Sequence, residues 1–307
     1  TSGNSITGSQ SDQTGIAQRN YENSSGKDAV KITNDGSIAL TGNNAVGIAS
    51  DYGHVVNNST VKTTGEKSVA IYSANGTTTE NNGEIVIGGN NSAGIYGVNY
   101  LDGINSSAVL KYGNDKIDIS NNGRIISEGN GKVYGIYADN KYLSRNDSAV
   151  RLGSGSNIDL SSSNGGVGIY ANSTRLTGEG ILSVGNSGVG LYAKDSDVNL
   201  NNFTLNLNGD KALGFYLDGN TNFTGNGNIN INGNGILVFN INSNGTFTND
   251  FIINSSAGST YTLGNVADNT FRYTGSASLA GNGSFIYGKN SAVLLDTGSV
   301  INAAEDN

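Results

Sequence analysis

The chain has 307 residues, 35% of them hydrophobic, with no Cys, no Pro, a net charge of −8 and a sequence pI near 4.6. The acidity argues against nucleic acid or an anionic membrane as partner, and no run reaches the 18 apolar residues that a membrane-spanning helix needs. The lack of Cys excludes disulfides and thiolate metal sites.

Residues 1–28 are polar and hold one short apolar phrase, TGIA from Thr14 to Ala17; they read as a leader or a partial first coil. A rhythm begins with AVKI, Ala29 to Ile32, and SIAL, Ser37 to Leu40, and locks in with AVGIAS around Ile48. Near copies follow as SVAIYS around Ile71, SAGIYG around Ile95, VYGIYA around Ile136, GVGIYA around Ile169, GVGLYA around Leu191 and ALGFYL around Phe215, with weaker echoes at Val238, Leu263 and Ile286. The spacings between these positions are 23, 24, 41, 33, 22, 24, 23, 25 and 23 residues. A fixed period in this range marks a solenoid or a repeat array.

Each unit contains short apolar alternations separated by turns rich in Asn, Gly, Ser and Asp, with no 3.6-residue periodicity that would call for a helix. The reading is all-β: a right-handed parallel β-helix over residues 29–307, with about 22–25 residues per coil, two longer coils and three strands per coil. Handedness follows the rule for parallel crossovers within one sheet. A thin solenoid core needs little apolar material, 46 Gly supply turns, and the absence of Pro suits unbroken ladders. Strict alternation places Val46, Ile48, Val69, Ile71, Ile95, Ile136, Val167, Ile169, Val189, Leu191, Leu213 and Phe215 inside. In GVGIYA it sends Gly168 and Tyr170 to the outer face. The same logic sets an outward stripe of Tyr72, Tyr96, Tyr137, Tyr170, Tyr192, Tyr216, Phe239 and Tyr287, suited to aromatic stacking or to carbohydrate. Glu84 and Arg124 occupy matching positions of successive units and should form an exposed pair.

The two long units carry insertions near residues 99–117 and 140–157. SSAVLKYGNDKIDIS, Ser106 to Ser120, resembles DSAVRLGSGSNIDLS, Asp147 to Ser161, at an offset of 41 residues. Stacked, the two would form a double ledge whose distinctive side chains, Tyr100, Leu101, Asp102, Lys111, Tyr112, Tyr142, Arg145 and Arg151, are the candidate ligand-binding residues. Asp118 and Asp159 share that offset. Stacking would set them about 5 Å apart, near the spacing of a retaining glycosidase pair, or as a cation site, or as two solvated carboxylates. The single histidine, His54, reads as a surface turn residue, and no nucleotide-binding or calcium-repeat motif is present. No cofactor, metal site or catalytic residue is expected. Toward the C-terminus Asn thickens in NLNNFTLNLNGD and GNGNININGNG, and the last units lose regularity. The chain starts without Met or a signal peptide, which reads as a piece of a larger mature protein.

The GIY-centred units, the Asn, Gly and Ser turns and the lack of Cys and Pro resemble the passenger region of large fusobacterial type V autotransporter adhesins, the RadD-like group, from Ala29 onward. The resemblance implies a monomeric, non-catalytic rod anchored to the outer membrane of the bacterial surface through a β-barrel outside this sequence. It implies partners on host cells, as surface glycoprotein or glycan, or on other bacteria. A polysaccharide-active β-helix enzyme, hydrolase or lyase, and a purely structural stalk are the alternatives.

Overall fold

The structure is a computed structural model, and it describes residues 3–19, 30–99, 116–140 and 148–303. It is a right-handed parallel β-solenoid of about ten turns. Among the described residues there is no helix, and the strand pairings are parallel throughout.

One coil shows the plan. Val46–Asp51 carries the apolar phrase, His54–Asn57 and Thr60–Thr63 follow, and a turn leads to Val69–Ala74, the phrase of the next coil. Three ladders result. The phrase strands form an 11-stranded sheet, while the other two ladders merge into one 19-stranded sheet. They merge because Arg175–Val184, Asp197–Leu207, Asn222–Ile231 and Phe247–Ser255 run straight through the corner that separates the ladders in earlier coils. Glycine permits this at Gly178 and Gly180, where φ is +131° and +119°. A Cβ there would lie 2.0 Å from the Leu152 carbonyl oxygen and 2.5 Å from that of Ser156. The chain also opens with paired strands: Ser5–Gly8 lies against Ser37–Leu40, and Thr14–Arg19 against Val46–Asp51.

The corner before each phrase strand uses left-handed backbone, at Asn44, Lys67, Asn91, Ser187 and Lys211, and the corner after it does so at Tyr52, Asn75, Ser173 and Asp195. The corner between the second and third ladders is held by a buried side-chain chain instead. The Asn34 amide donates to Asn57 Oδ1, Asn57 to Asn81 and Asn81 to Asn121, at 2.7–2.8 Å, and Asn121 ends the run on Ser156. These four Asn are essentially inaccessible to solvent, so the ladder satisfies polar groups that water cannot reach.

The phrase ladder sets the core. Ile48, Ile71, Ile95, Ile136, Ile169, Leu191 and Phe215 stack in register, each at most 1% exposed. Each buried aliphatic side chain of this kind contributes about 1.5–3 kcal/mol of transfer free energy. C-terminally the filling becomes aromatic: Phe215 stacks on Phe239, and Phe223, Phe247 and Phe271 follow one another at centroid distances of 5.3 and 5.2 Å.

Strict alternation fails at one place in every phrase. Val46, Val69, Val167, Val189 and Leu213, expected inside, are half-buried on the outer side, whereas Gly47, Ala70, Gly168, Gly190 and Gly214 face the core together with the Ile or Leu that follows. Two consecutive residues therefore point inward. In the GIY coils the first is small: a Cβ on Gly168 would sit 2.4 Å from Leu182 Cδ1 and 2.6 Å from the Gly190 carbonyl oxygen. The same slip displaces the C-terminal echoes: Phe215 pairs with Phe239, Phe239 with Gly264 and Gly264 with Ile286. Val238 and Leu263 fill the small-residue position one place earlier. Phe239 is thus fully buried rather than part of the outward stripe.

Candidate functional site: the tyrosine ladder

The outward position after each phrase isoleucine builds a continuous side-chain feature of the surface. Tyr72, Tyr96, Tyr137, Tyr170, Tyr192 and Tyr216 stand on six successive coils in one register. Strands about 4.8 Å apart hold the rings at successive centroid distances of 5.9, 4.7, 4.5, 5.2 and 4.8 Å, with planes within 20° of parallel. Tyr134, at the outer position that Val167 takes in the next coil, packs edge-on against Tyr137 at 5.5 Å.

Two residues further along the same face runs a second stripe, with Asp51, Asp139 and Asp218 among its members. The Tyr192 hydroxyl donates to Asp218 at 3.2 Å, and that of Tyr137 to Asp139 at 3.5 Å. Burial and then the Asp218 charge push the Tyr192 phenol up to about 12. Tyr72, Tyr96, Tyr137 and Tyr170 are raised from the ordinary value as well, chiefly by burial and then by Asp51 or Asp139. Because the rings cover one another's faces, the surface presents neutral ring edges beside carboxylates, and a flat ligand can stack only on a ring at an end of the ladder.

The ladder has defined ends. Below Tyr216 the register continues with Asn240 and Asn265, which bond each other at 3.4 Å, and then with Tyr287. Above Tyr72 come Ala49 and Ala17, and their small side chains leave a hollow of about 310 Å³. The signal for that hollow is present in the sequence, where AVGIAS and TGIAQR carry Ala in place of Tyr.

Of the residues expected on the double ledge, Tyr100, Leu101, Asp102, Lys111, Tyr112, Tyr142 and Arg145 lie outside the described residues. Arg151 belongs to Ala149–Leu152, a regular strand paired with Asp118–Asn121, and its guanidinium bonds the Asp118 carboxylate. The expected stack of Asp118 on Asp159 does not occur. Asp118 pairs with Ala149 in the second ladder, whereas Asp159 sits in the third opposite Ile126 and Ser183. The 41-residue similarity misled because the first unit lines up with the second at a different offset: Ile119 on Val150, and Ile125 on Ile158.

His54 Nε2 lies 3.1 Å from Glu80 Oε1 on the second ladder. Glu84 and Arg124 form the expected pair at 2.7 Å. Among the described residues no three His, Asp or Glu side chains gather in a way that could hold a metal ion, and no helix is long and apolar enough to cross a membrane.

No curated protein and no solved structure matches the chain. A family match covers residues 2–214, from the first described strands to the start of Leu213–Gly219, and stops just before Phe215 and the sixth ring, Tyr216. On that match the chain belongs to the family of the BigA third pectate lyase-like domain.

Proposed function

We propose that this chain is a non-catalytic adhesin segment: a rigid rod displayed on the bacterial surface that attaches to host cells or to other bacteria. The family match over a regular coil-stacked rod carries the reading, since both fit the passenger region of a surface protein. In finer detail the rod is of the fusobacterial autotransporter kind, a monomer tethered to the outer membrane through a region outside this sequence. Its partners are a host surface glycoprotein or glycan, or the surface of a partner bacterium.

Catalysis is disfavoured by the arrangement of the carboxylates. Asp118 is ion-paired with Arg151 and stands in the second ladder while Asp159 stands in the third, so the two do not stack on each other as a two-carboxylate glycosidase pair would need. The competing reading is a polysaccharide lyase or hydrolase. It predicts release of reducing sugars from bacterial or host polysaccharide, lost in Asp118→Asn with Asp159→Asn; the adhesin reading predicts no release from either protein.

Within this reading the two insertions carry the cell contact, because they break the repeat and bring Tyr and Arg, residue types favoured at binding hot spots. Deleting residues 100–115 and 141–147 leaves every described strand intact. The shortened rod should keep its β circular-dichroism spectrum and lose attachment to cells. Unchanged attachment would move the contact elsewhere on the rod.

A further inference from the structure

The tyrosine ladder stops abruptly at Tyr72. One face of that ring stacks on Tyr96 at 5.9 Å, and the next two positions of the register, Ala49 and Ala17, have no ring to offer. The vacancy is two coils deep, about 10 Å at the strand spacing, and forms the hollow of about 310 Å³, within the range of small-molecule sites. It is bordered by Arg19 and Asp51, whose Nε and Oδ2 are 3.0 Å apart. Asp51 Oδ1 also accepts from the Asn75 amide at 3.0 Å, so the carboxylate is fixed from two sides.

We propose that this open end is a saccharide subsite. A pyranose ring lies over Ala49 and Ala17 with its C–H face against Tyr72, continuing the ladder by one ring, while Arg19 and Asp51 bond its hydroxyls. The chemistry favours a sugar over an aromatic peptide side chain. The floor is a ring face plus two methyl groups, but the wall carries the Arg19–Asp51 ion pair, which matches a ligand apolar on its face and hydroxylated at its edge. An aromatic side chain would stack on Tyr72 but cover the Arg19–Asp51 pair without bonding it, at a cost in lost hydration. Burial and the Asp51 charge hold the Tyr72 phenol in its neutral form, so the stacking plane carries no charge of its own. The inference deepens the adhesin reading by naming a ligand class, and rests on it only for the source of the glycan.

Ala49→Tyr is the informative variant. It places a ring where six following coils already carry one, so the fold tolerates it and the hollow closes. Tyr72→Ala removes the stacking plane instead. The unmodified chain, tested on an array of host and bacterial oligosaccharides, should bind at least one pyranose-containing glycan. In solution titration with that glycan, both variants should lose at least about tenfold in affinity, with Ala49→Tyr melting no lower than the parent. Binding unchanged in Ala49→Tyr, no glycan bound at all, or a preference for free phenol or indole over sugars would each overturn the subsite. The adhesin reading fails separately: glycan bound without attachment to cells removes adhesion and keeps the subsite, whereas attachment to cells with glycan affinity equal in the parent and Ala49→Tyr keeps adhesion and removes the subsite.

Discussion

Tyr137 and Tyr170, 33 residues apart in the sequence, stack face to face on adjacent coils with ring centroids 4.5 Å apart and planes 8° from parallel. Tyr137 is nearly as close to Tyr96, at 4.7 Å, so it lies at the tightest point of the ladder. Stacked pairs of this kind contribute about 0.5–1.5 kcal/mol each beyond burial. Tyr137→Ala should therefore cost roughly 1–3 kcal/mol, read as a lower midpoint in denaturant. Tyr137→Phe should cost much less, because its hydroxyl reaches Asp139 only at 3.5 Å. Equal midpoints for Tyr137→Ala and the parent would mean that the rings stack without stabilising the rod.

The raised phenols make stability depend on alkaline pH in a definite direction. The Tyr192 value of about 12 lies above the unfolded value of 10.0. The folded state therefore favours the neutral phenol, and the stability this contributes is complete below pH 10 and is lost as pH climbs toward 12. Tyrosinate absorbance should rise later in the folded chain than in the urea-unfolded chain, with loss of fold in the same window. Asp218→Asn should bring the Tyr192 transition down, since that carboxylate is the second cause of the shift. A folded titration coincident with the unfolded one would contradict this.

Two neighbouring asparagines should behave differently. Asn57 is buried, accepting from Asn34 and donating to Asn81 and to the Ser59 carbonyl oxygen, whereas Asn58 is exposed and bonds Asp35 and Asn82 on the surface. Asn57→Ala leaves the Asn34 amide and Asn81 Oδ1 without their partner, at about 1–3 kcal/mol for each stranded group. Asn58→Ala should stay within about 0.5 kcal/mol of the parent. Thermal melts of the two variants side by side settle the order.

Much of the fold was legible because a solenoid writes its period into the sequence. The Ile48 to Phe215 ladder, the Tyr72 to Tyr216 ring stack and the Glu84–Arg124 pair all follow from counting equivalent positions. What counting cannot see is a break in alternation carried by a residue without a side chain. Gly168 faces the core, but alternation puts it outside, and Val167 suffers the reverse error. Where Val238 and Leu263 fill that same small-residue position, the apolar signal moved by one and put Phe239 on the wrong face. Asp118 and Asp159 failed for a related reason: similar wording in two units of different length does not fix which ladder a residue joins. The Ala residues of AVGIAS and TGIAQR signal the hollow at Ala49, but a gap in a stripe gains meaning only once the stripe is known to stack.

The core slip makes its own prediction. Gly168→Val would drive a branched side chain into Leu182 and the Gly190 carbonyl oxygen, and overpacking of this sort costs about 1–3 kcal/mol. Val167→Thr, on the half-buried outer side, should cost less. If Val167→Thr were the more damaging of the two in urea titrations, the outward assignment of Val167 would be wrong.

Adhesion is tested most directly by titrating the purified, labelled chain onto host cells and onto partner bacteria while assaying the same suspensions for released reducing sugar. The account predicts saturable attachment to at least one of these surfaces with no sugar released. Sugar release that Asp118→Asn with Asp159→Asn abolishes, or no saturable attachment to any surface, would contradict it.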